Sequence, residues 1–313
     1  MLYFIVNATS RSGKGLLVWH RVKSVLVEEN ISYKSYKTKH AYHATELAKK
    51  ITSKTKGVVK LIVIGGDGTV NEVINGIENF ENVRFGVIPT GSGNDFARGL
   101  GIKQRPEHII RGIISKKKCE KIDIGRVTWE RENSRLFAIS SGLGLDAIVT
   151  KKTNESRLKK ILNKIKLGKL TYIFLTVQTL FSMDTFTLKM ENVDGTQKEY
   201  SKMIFMAVMN FRAEGGGVPM APGALPTDGK LSVASASGIP KWKTFFCLPL
   251  LVVAKHEGIN GFDICDTEEC VINTDKPVVL HTDGEYIADV TGVRYECLKD
   301  KLYILNEVKN GTK

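Results

Sequence analysis

The sequence predicts two domains, an α/β domain built on a parallel sheet and, after it, a β-rich domain of sandwich type. Apolar runs at 2–6, 58–64 and 84–88 alternate with helical patterns at 15–28, 41–51 and 70–77, and alternation of that kind makes a parallel sheet covered on both faces. From about Cys119 the pattern turns to short strands between polar turns, as in a sandwich. Glycine-rich turns close the strands of the first part, at the carboxyl ends where ligands gather in open α/β sheets.

In chain order, residues 1–6 read as a first strand rather than a leader, because Arg11 and Lys14 interrupt any apolar run. A helix over 106–115 ends in Lys116, Lys117 and Lys118, a solvated basic terminus. The boundary falls near Ile122, giving domains 1–121 and 122–313, with the last residues free to pack back on the first domain. The second domain is expected to carry strands at 121–129, 136–140, 185–190, 202–209, 230–235, 269–274, 278–282 and 287–290. Between them, Leu158, Ile161, Leu162 and Ile165 share one helical face and Lys159, Lys160, Lys164 and Lys166 the other, so that helix lies on its own domain or on anionic lipid. The next helix, with Leu170, Ile173, Phe174, Val177, Leu180 and Phe181, reads as core. Residues 245–254 are the longest apolar stretch, broken by Pro249. Too short to span a bilayer, they read as a core helix or an interfacial one.

Composition is that of a globular protein, 42% hydrophobic and 25% charged over 313 residues, long enough for two cores. A formal charge of +13 favours an anionic partner: nucleotide, nucleic acid or an acidic membrane surface. Cys119, Cys247, Cys265, Cys270 and Cys297 are odd in number and form no Cys-x-x-Cys pair, which points away from a disulfide framework or zinc site and towards a reducing cytoplasm.

The chemistry concentrates in the turns. Leu61, Ile62, Val63 and Ile64 run into Gly65, Gly66, Asp67, Gly68 and Thr69, which open a helix at Val70, Asn71 and Glu72. The glycines let a phosphate reach the backbone, and the helix start offers N–H groups and a positive dipole end. Asp67 would repel that phosphate unless a divalent cation or water lies between, which implies nucleotide with magnesium; alone, it would be a helix cap. The spacing is neither that of the P-loop nor that of the dinucleotide fingerprint. A second turn holds Pro89, Thr90, Gly91, Ser92, Gly93, Asn94, Asp95, Phe96, Ala97 and Arg98. Ser92 and Asn94 can donate to phosphate or ribose oxygens and Asp95 can hold water on a metal. A third, after the first strand, holds Asn7, Ala8, Thr9, Ser10, Arg11, Ser12, Gly13 and Lys14. Near the C-terminus Asp283, Gly284 and Glu285 form an acidic turn that would otherwise be a plain β-turn. His281 shares a face with Asp283 in a regular strand and reads as a structural histidine; the other histidines show no metal spacing.

These turns and the acidic segment closely resemble the diacylglycerol kinase catalytic family, which includes soluble bacterial lipid kinases and sphingosine kinases. The Gly65-to-Thr69 core is shared with NAD kinases and, loosely, phosphofructokinases; its extension to Glu72, followed by the residues from Pro89 to Arg98, is more specific and resembles the lipid kinase branch. Segments 142–147 and 221–231 resemble the family's second domain. One departure is Ala8 and Arg11, where the family usually has proline and glycine.

The resemblance implies an NAD-kinase/diacylglycerol-kinase-like fold and ATP bound between the domains by Asn7, Ala8, Thr9, Ser10, Arg11, Thr38, Gly66, Asp67, Gly68, Thr69, Val70, Asn71, Glu72, Ser92, Asn94 and Asp95. Asp67 and Asp95 would order magnesium and its waters, and Asp123 would belong to the same network. Asp283 and Glu285 match the catalytic acidic pair, either of which could receive the acceptor's proton. Asp228, with main-chain oxygens of Leu225 and Lys230, matches a structural magnesium site; without the family it is a hairpin turn. The expected activity is ATP- and magnesium-dependent phosphorylation of a lipid hydroxyl, diacylglycerol to phosphatidic acid, at an anionic membrane surface by a cytoplasmic, peripherally bound protein, with a homodimer as a compatible assembly and no nucleic-acid partner. The competing readings are another lipid acceptor (phosphatidylglycerol, a sphingoid base or a polyprenol), an NAD kinase, and a membrane- or nucleic-acid-binding protein on a degenerate kinase scaffold.

Overall fold

The computed structural model describes residues 1–116, 118–155 and 168–307. The chain forms two compact units, one of Met1–Ile124, Gly215–Gly217 and Leu298–Lys313, the other of Gly125–Glu214 and Val218–Cys297.

The first unit is the α/β domain. Strands β1 (Leu2–Val6), β2 (Tyr33–Lys37), β3 (Val59–Gly65) and β4 (Val83–Pro89) pair in the parallel order β2-β1-β3-β4. The central strands are near-continuous apolar runs because both faces are covered: Phe4, Ile5, Val6, Leu61 to Ile64, Phe85, Val87 and Ile88 are buried. β2 escapes sequence reading because Tyr-Lys-Ser-Tyr-Lys carries no aliphatic residue; it is an edge strand, no residue of which is fully buried. Helices α1 (Ser10–Glu28), α2 (His43–Lys54), α3 (Asp67–Asn75), the short α4 (Asp95–Gly99) and α5 (Pro106–Ser115) join the strands. α5 starts on Pro106, whose fixed φ and missing N–H suit a first helical position, and it buries Ile109, Ile110 and Ile113. The unit is completed by the chain's end: Tyr303 and Ile304 pair in parallel with Arg84 and Phe85, and the buried Asn306 amide both accepts from Val87 N–H and donates to Val87 C=O.

The second unit is sandwich-like. Its strands are the later part of β5 (Glu120–Trp129), β6 (Asn133–Phe137), β7 (Ser140–Gly144), β8 (Phe186–Asn192), β9 (Gln197–Met203), β10 (Phe205–Met209), β11 (Leu231–Ala236), β12 (Phe262–Thr267), β13 (Glu269–Thr282) and most of β14 (Glu285–Ile304). The antiparallel order is β12-β11-β10-β7-β13-β14, with β8 and β9 added on the first half of β13. One core is strand against strand, with Phe137, Leu143, Leu188, Met206, Leu280 and Tyr295. The other lies under α6 (Leu145–Glu155), α7 (Gly168–Ser182) and α8 (Lys241–Val252), with Val149, Leu180, Met209, Met220 and Leu251.

Several expected elements change. The run 202–209 is two strands, β9 ending at Met203 and β10 starting at Phe205, with the break at Ile204, while 269–274 and 278–282 are one strand with a register shift between them. The basic helix expected at 158–166 lies outside the described residues. α7 and α8 are not simple core helices: Ile173, Phe174 and Phe181 on the first and Trp242, Phe246 and Leu250 on the second are exposed, and α8 buries only Thr244, Cys247 and Leu251. Apolar content does not tell a helix covered on one side from one covered all round.

Candidate active site

Parallel register brings the three turns together. Val6 pairs with Ile64, Ile64 with Ile88 and Gly65 with Pro89, so Asn7, Gly66 and Thr90 leave the sheet side by side. Thr90 N–H donates to Gly65 C=O at 2.8 Å and Asn7 N–H to Ile64 C=O at 2.9 Å. The Asn7 amide donates to Thr69 Oγ1 at 2.9 Å, Thr9 Oγ1 donates to Asn7 Oδ1 at 3.1 Å, and the Ser10 and Thr90 hydroxyls share a 2.6 Å bond. Thr38 N–H extends the β1–β2 pairing to Val6 C=O. Arg11, Ser12 and Gly13 have φ of 45°, 57° and 94°, so the first turn of α1 is a left-handed loop with Arg11 exposed beside the half-buried Ala8. Gly66 and Gly91 touch backbone to backbone: a side chain begun on Gly91 would lie 2.7 Å from the Gly66 Cα.

Not every residue expected around ATP has a free side chain. Val70 and Asn71 are buried in α3. Glu72 accepts the Ala44 N–H at the start of α2, 3.1 Å away. Asn94, with φ 54°, closes its own turn, accepting from Gly91 N–H at 2.8 Å and donating to Gly91 C=O at 2.9 Å. These four belong to the frame of the turns, while Gly68 is half-buried and Ser92 exposed.

Asp67 and Asp95 are brought together. Asp67 Oδ1 accepts the Phe96 N–H at 3.1 Å, so it does cap a helix, though α4 rather than its own α3. Its Oδ2 and Asp95 Oδ2 lie 3.1 and 3.2 Å from the point where a side chain on Gly93 would begin. That space, flanked by two carboxylate oxygens, fits a hard divalent cation or its water shell. Arg98 pairs with Asp95 Oδ1 and donates to Gly93 C=O at 2.8 Å, and Gly216 N–H donates to Asp95 Oδ2 at 2.7 Å. Asp123 is fully buried and accepts the Asp300 N–H at 2.7 Å.

In the second unit Asp283 and Gly284 are the two central residues of the hairpin joining β13 to β14, both left-handed at φ 46° and 79°, as a type I′ turn requires. The Asp283 carboxylate accepts three backbone N–H groups: Ala138 at 2.9 Å, Ile139 at 2.8 Å and Ser140 at 3.0 Å. Glu285 binds Arg135 at 2.7 Å. Beside them, Asp146, Glu214 and His281 bring one side-chain ligating atom each to within 4.8 Å of one another. His281 Nε2 meets Asp146 Oδ2 at 2.8 Å, and Ser140 Oγ donates to Glu214. Burial opposes protonation of His281, but the Asp146 carboxylate and its hydrogen bond, with Glu214 and Asp283, outweigh it and raise the imidazole. Among the described residues the buried Asp146 Oδ1 has no hydrogen-bond partner.

Asp228 is exposed, and its Oδ1 accepts the Lys230 N–H at 3.0 Å across a turn at Gly229, between the exposed Leu225 and Lys230. The carboxylate closes its own turn ahead of β11, with no described strand on the turn's other side, so the turn is not that of a hairpin. On the surface, His40 and His43 stack at 4.7 Å beside Glu46 and bring one ligating atom each to within 4.8 Å of one another; the three stand at a regular spacing of three, which corrects the expectation that the other histidines show no metal spacing.

Sequence reasoning gave no role to Arg98, Arg135, Ser140, Asp146, Glu214 or Gly216. Arg98, Asp146 and Ser140 stood in or next to motif segments, and a charged residue directly before three glycines was the available signal for Glu214.

Residues 1–127 match a family model described as the diacylglycerol kinase catalytic domain, and residues 139–306 one described as the YegS C-terminal NAD kinase beta sandwich-like domain. The chain is 30% identical over 288 residues to the "Putative lipid kinase YtlR" of Bacillus subtilis (strain 168), covering 90% of this chain and 92% of that one. It is 29% identical over 296 residues to the diacylglycerol kinase of the same organism, covering 90% and 88%. A crystal structure of "a putative diacylglycerol kinase" from Bacillus anthracis str. Sterne superposes with a TM-score of 0.75 at 22% identity over 97% of this chain and 94% of that one, a likeness of fold.

Proposed function

Because the chain belongs to the diacylglycerol kinase catalytic family, carrying the YegS-type C-terminal domain, we propose that it is an ATP- and magnesium-dependent lipid kinase that phosphorylates the free hydroxyl of diacylglycerol to give phosphatidic acid. The observation that carries the reading is the pair of carboxylates, Asp67 and Asp95, held open to one space by Gly93 at the ends of adjacent parallel strands. Magnesium there would neutralise charge on the phosphates as the phosphoryl group transfers.

The chain's own residues do the rest by positioning. Gly66, Gly68 and Gly91 allow phosphates to approach the backbone, and the Asn7–Thr69 and Ser10–Thr90 bonds fix the loops around them. Arg98, tied to Asp95 and to Gly93 C=O, keeps the second turn in place. Asp283, clamped by three N–H groups, is a rigid acceptor for orienting a hydroxyl. The P-loop and dinucleotide alternatives lack their spacing, and retention of Asp67, Asp95, Asp283 and Glu285 opposes a degenerate scaffold.

No described helix is long and apolar enough to cross a membrane, and the lipid acceptor is reached, on this reading, by peripheral binding of a cytoplasmic protein with net charge +13 to an anionic surface. Incubation with labelled ATP and magnesium against diacylglycerol, phosphatidylglycerol, a sphingoid base, a polyprenol and NAD tests the proposal. Label in phosphatidic acid supports it; label in NAD alone would replace it with an NAD kinase.

A further inference from the structure

The edge strand β2 turns its two faces to different neighbours. Side chains alternate along a strand: Tyr33 packs on Phe4 and on Trp19 of α1, so Lys34 and Tyr36 lie on the α2 side, in register with Tyr3 and Ile5 of β1. The crossover from β2 to β3 passes over β1, and α2 rests on β1 and α3. The edge strand's own α2 face is left uncovered. An open depression of about 510 Å³ remains there, lined by Tyr3, Lys34, Tyr36, Lys50, Lys54 and Lys56.

Its charge is unbalanced. Residues 31–64 hold eight lysines, no arginine and one acidic residue, Glu46, and so carry seven of the chain's thirteen excess positive charges. Lys49 is paired with Glu78 at 3.2 Å, whereas among the described residues Lys34, Lys50, Lys54 and Lys56 form no ion pair. Lys54 stands in the last turn of α2, where a cation offsets the negative end of the helix dipole. That role takes one lysine. Three more surround the same space, together with two half-buried tyrosines.

We propose that this depression is a second anion site, taking the phosphate group of a small phosphorylated ligand. Like charges converging on one concave surface raise the local concentration of an anion. Ammonium groups bind phosphate as point charges, a tyrosine hydroxyl can donate to a remaining oxygen, and the tyrosine rings offer apolar walls to a carbon skeleton. The volume falls within the range of small-molecule sites and exceeds what bare phosphate fills, so the ligand carries an organic body. Glycerol phosphate, free or as the headgroup of phosphatidic acid, has that chemistry. Tyr3 lies near the amino end of β1 and Lys56 just ahead of β3, whereas the three glycine-rich turns leave the sheet at its carboxyl ends. The depression is thus separate from the turns proposed to hold ATP and shares no residue with them.

Binding at this site is read without ATP, magnesium or turnover, so its outcome is independent of the kinase reading. Calorimetric titration with glycerol 3-phosphate, and flotation with phosphatidylcholine vesicles with and without phosphatidic acid, are compared for the wild type, Lys34→Gln/Lys56→Gln, Tyr36→Phe and a charge control, Lys23→Gln/Lys103→Gln, which changes two exposed lysines elsewhere. The wild type should bind at least one probe saturably. Affinity should fall about tenfold or more in Lys34→Gln/Lys56→Gln, about threefold in Tyr36→Phe at unchanged net charge, and not in the control. Circular dichroism checks the folding of each variant. Binding of glycerol 3-phosphate alone identifies a free ligand and binding of phosphatidic acid vesicles alone a lipid headgroup; either supports the site. Unaltered binding in Lys34→Gln/Lys56→Gln, equal weakening in the control, or saturable binding of neither probe would overturn it. A single-stranded oligonucleotide that binds where both phosphate probes fail would reassign the basic edge to nucleic acid.

Discussion

Asp67 and Asp95 face one space across Gly93, their Oδ2 atoms 3.1 and 3.2 Å from the position a Cβ on that glycine would take. Gly93→Ala therefore tests the magnesium site without replacing either ligand, by crowding the space between them. Gly93 is not among the positive-φ glycines, so alanine brings a methyl group and no backbone strain. The expected result is a fold unchanged by circular dichroism and a rise of about tenfold or more in the magnesium concentration giving half-maximal transfer, equivalent to about 1.4 kcal/mol. An unchanged magnesium dependence would remove the space from the mechanism.

Asp67→Asn separates charge from capping. The amide oxygen can still accept the Phe96 N–H that Asp67 now holds at 3.1 Å, so stability should fall by less than about 1 kcal/mol. Transfer from labelled ATP should drop by roughly two orders of magnitude or more, as expected when a charge stabilising the transferring phosphoryl is lost. Asp67→Ala should lose the same activity and, by urea titration, more stability.

Asp283→Ala will not be a purely catalytic variant. On the lipid-kinase reading it abolishes transfer, but the buried carboxylate also holds the N–H groups of Ala138, Ile139 and Ser140. Leaving such donors unsatisfied costs about 1–3 kcal/mol each before relaxation, so a drop of about 3 kcal/mol in unfolding free energy is expected from chemical denaturation. Asp283→Asn, which keeps one oxygen as acceptor, should lose less.

The Asp146–His281–Glu214 cluster makes stability depend on pH with a definite sign. Both His281 and Glu214 have raised folded-state values, so the folded protein holds protons that the unfolded chain releases. Their contribution is complete below the unfolded values, about 4.5 for Glu and 6.5 for His, and is lost as pH rises through the folded ones, near 7 for Glu214. The urea midpoint should fall between about pH 5 and pH 8, and Glu214→Gln should flatten that fall. A midpoint that rises over this window would contradict the assigned directions.

The exposed aromatic residues of α7 and α8 give the peripheral-membrane reading a test. Phe174, Trp242 and Phe246 are each at least 62% exposed, and neither helix contains an acidic residue. Such residues enter the interfacial region of a bilayer and favour anionic headgroups when flanked by lysines such as Lys241 and Lys243. Sedimentation with vesicles containing anionic lipid should retain the wild type and release Trp242→Ser/Phe246→Ser by roughly tenfold in partition coefficient. Equal retention of both proteins would place the contact elsewhere.

Much of the fold was legible because its signals are local. The runs that became β1, β3 and β4 are apolar enough to declare themselves, and the turns after them carry glycine where backbone must approach backbone. β2 was not, since Tyr33 to Lys37 carries no aliphatic residue and is set by its pairing with β1 and by the packing of Tyr33 on Phe4 and Trp19. For the site, Asp67, Asp95 and Asp283 stood inside recognisable motifs. Asp146, Glu214 and His281 are separated by 68 and 67 positions and meet only through the pairing of β7 with β10 and β13. Asn94 and Glu72 show the converse: both have ligand-like chemistry, and both are consumed within the frame.

The contact between Gly66 and Gly91 limits how these two loops can diverge in related proteins. A larger residue at either position meets the main chain of the other, and at Gly91 the Asn94 Oδ1 as well, and the partner, already glycine, has nothing left to trim. No second substitution can therefore restore the fit by exchange of volume. The two positions should be invariant separately, without the correlated changes by which packed pairs usually reveal themselves.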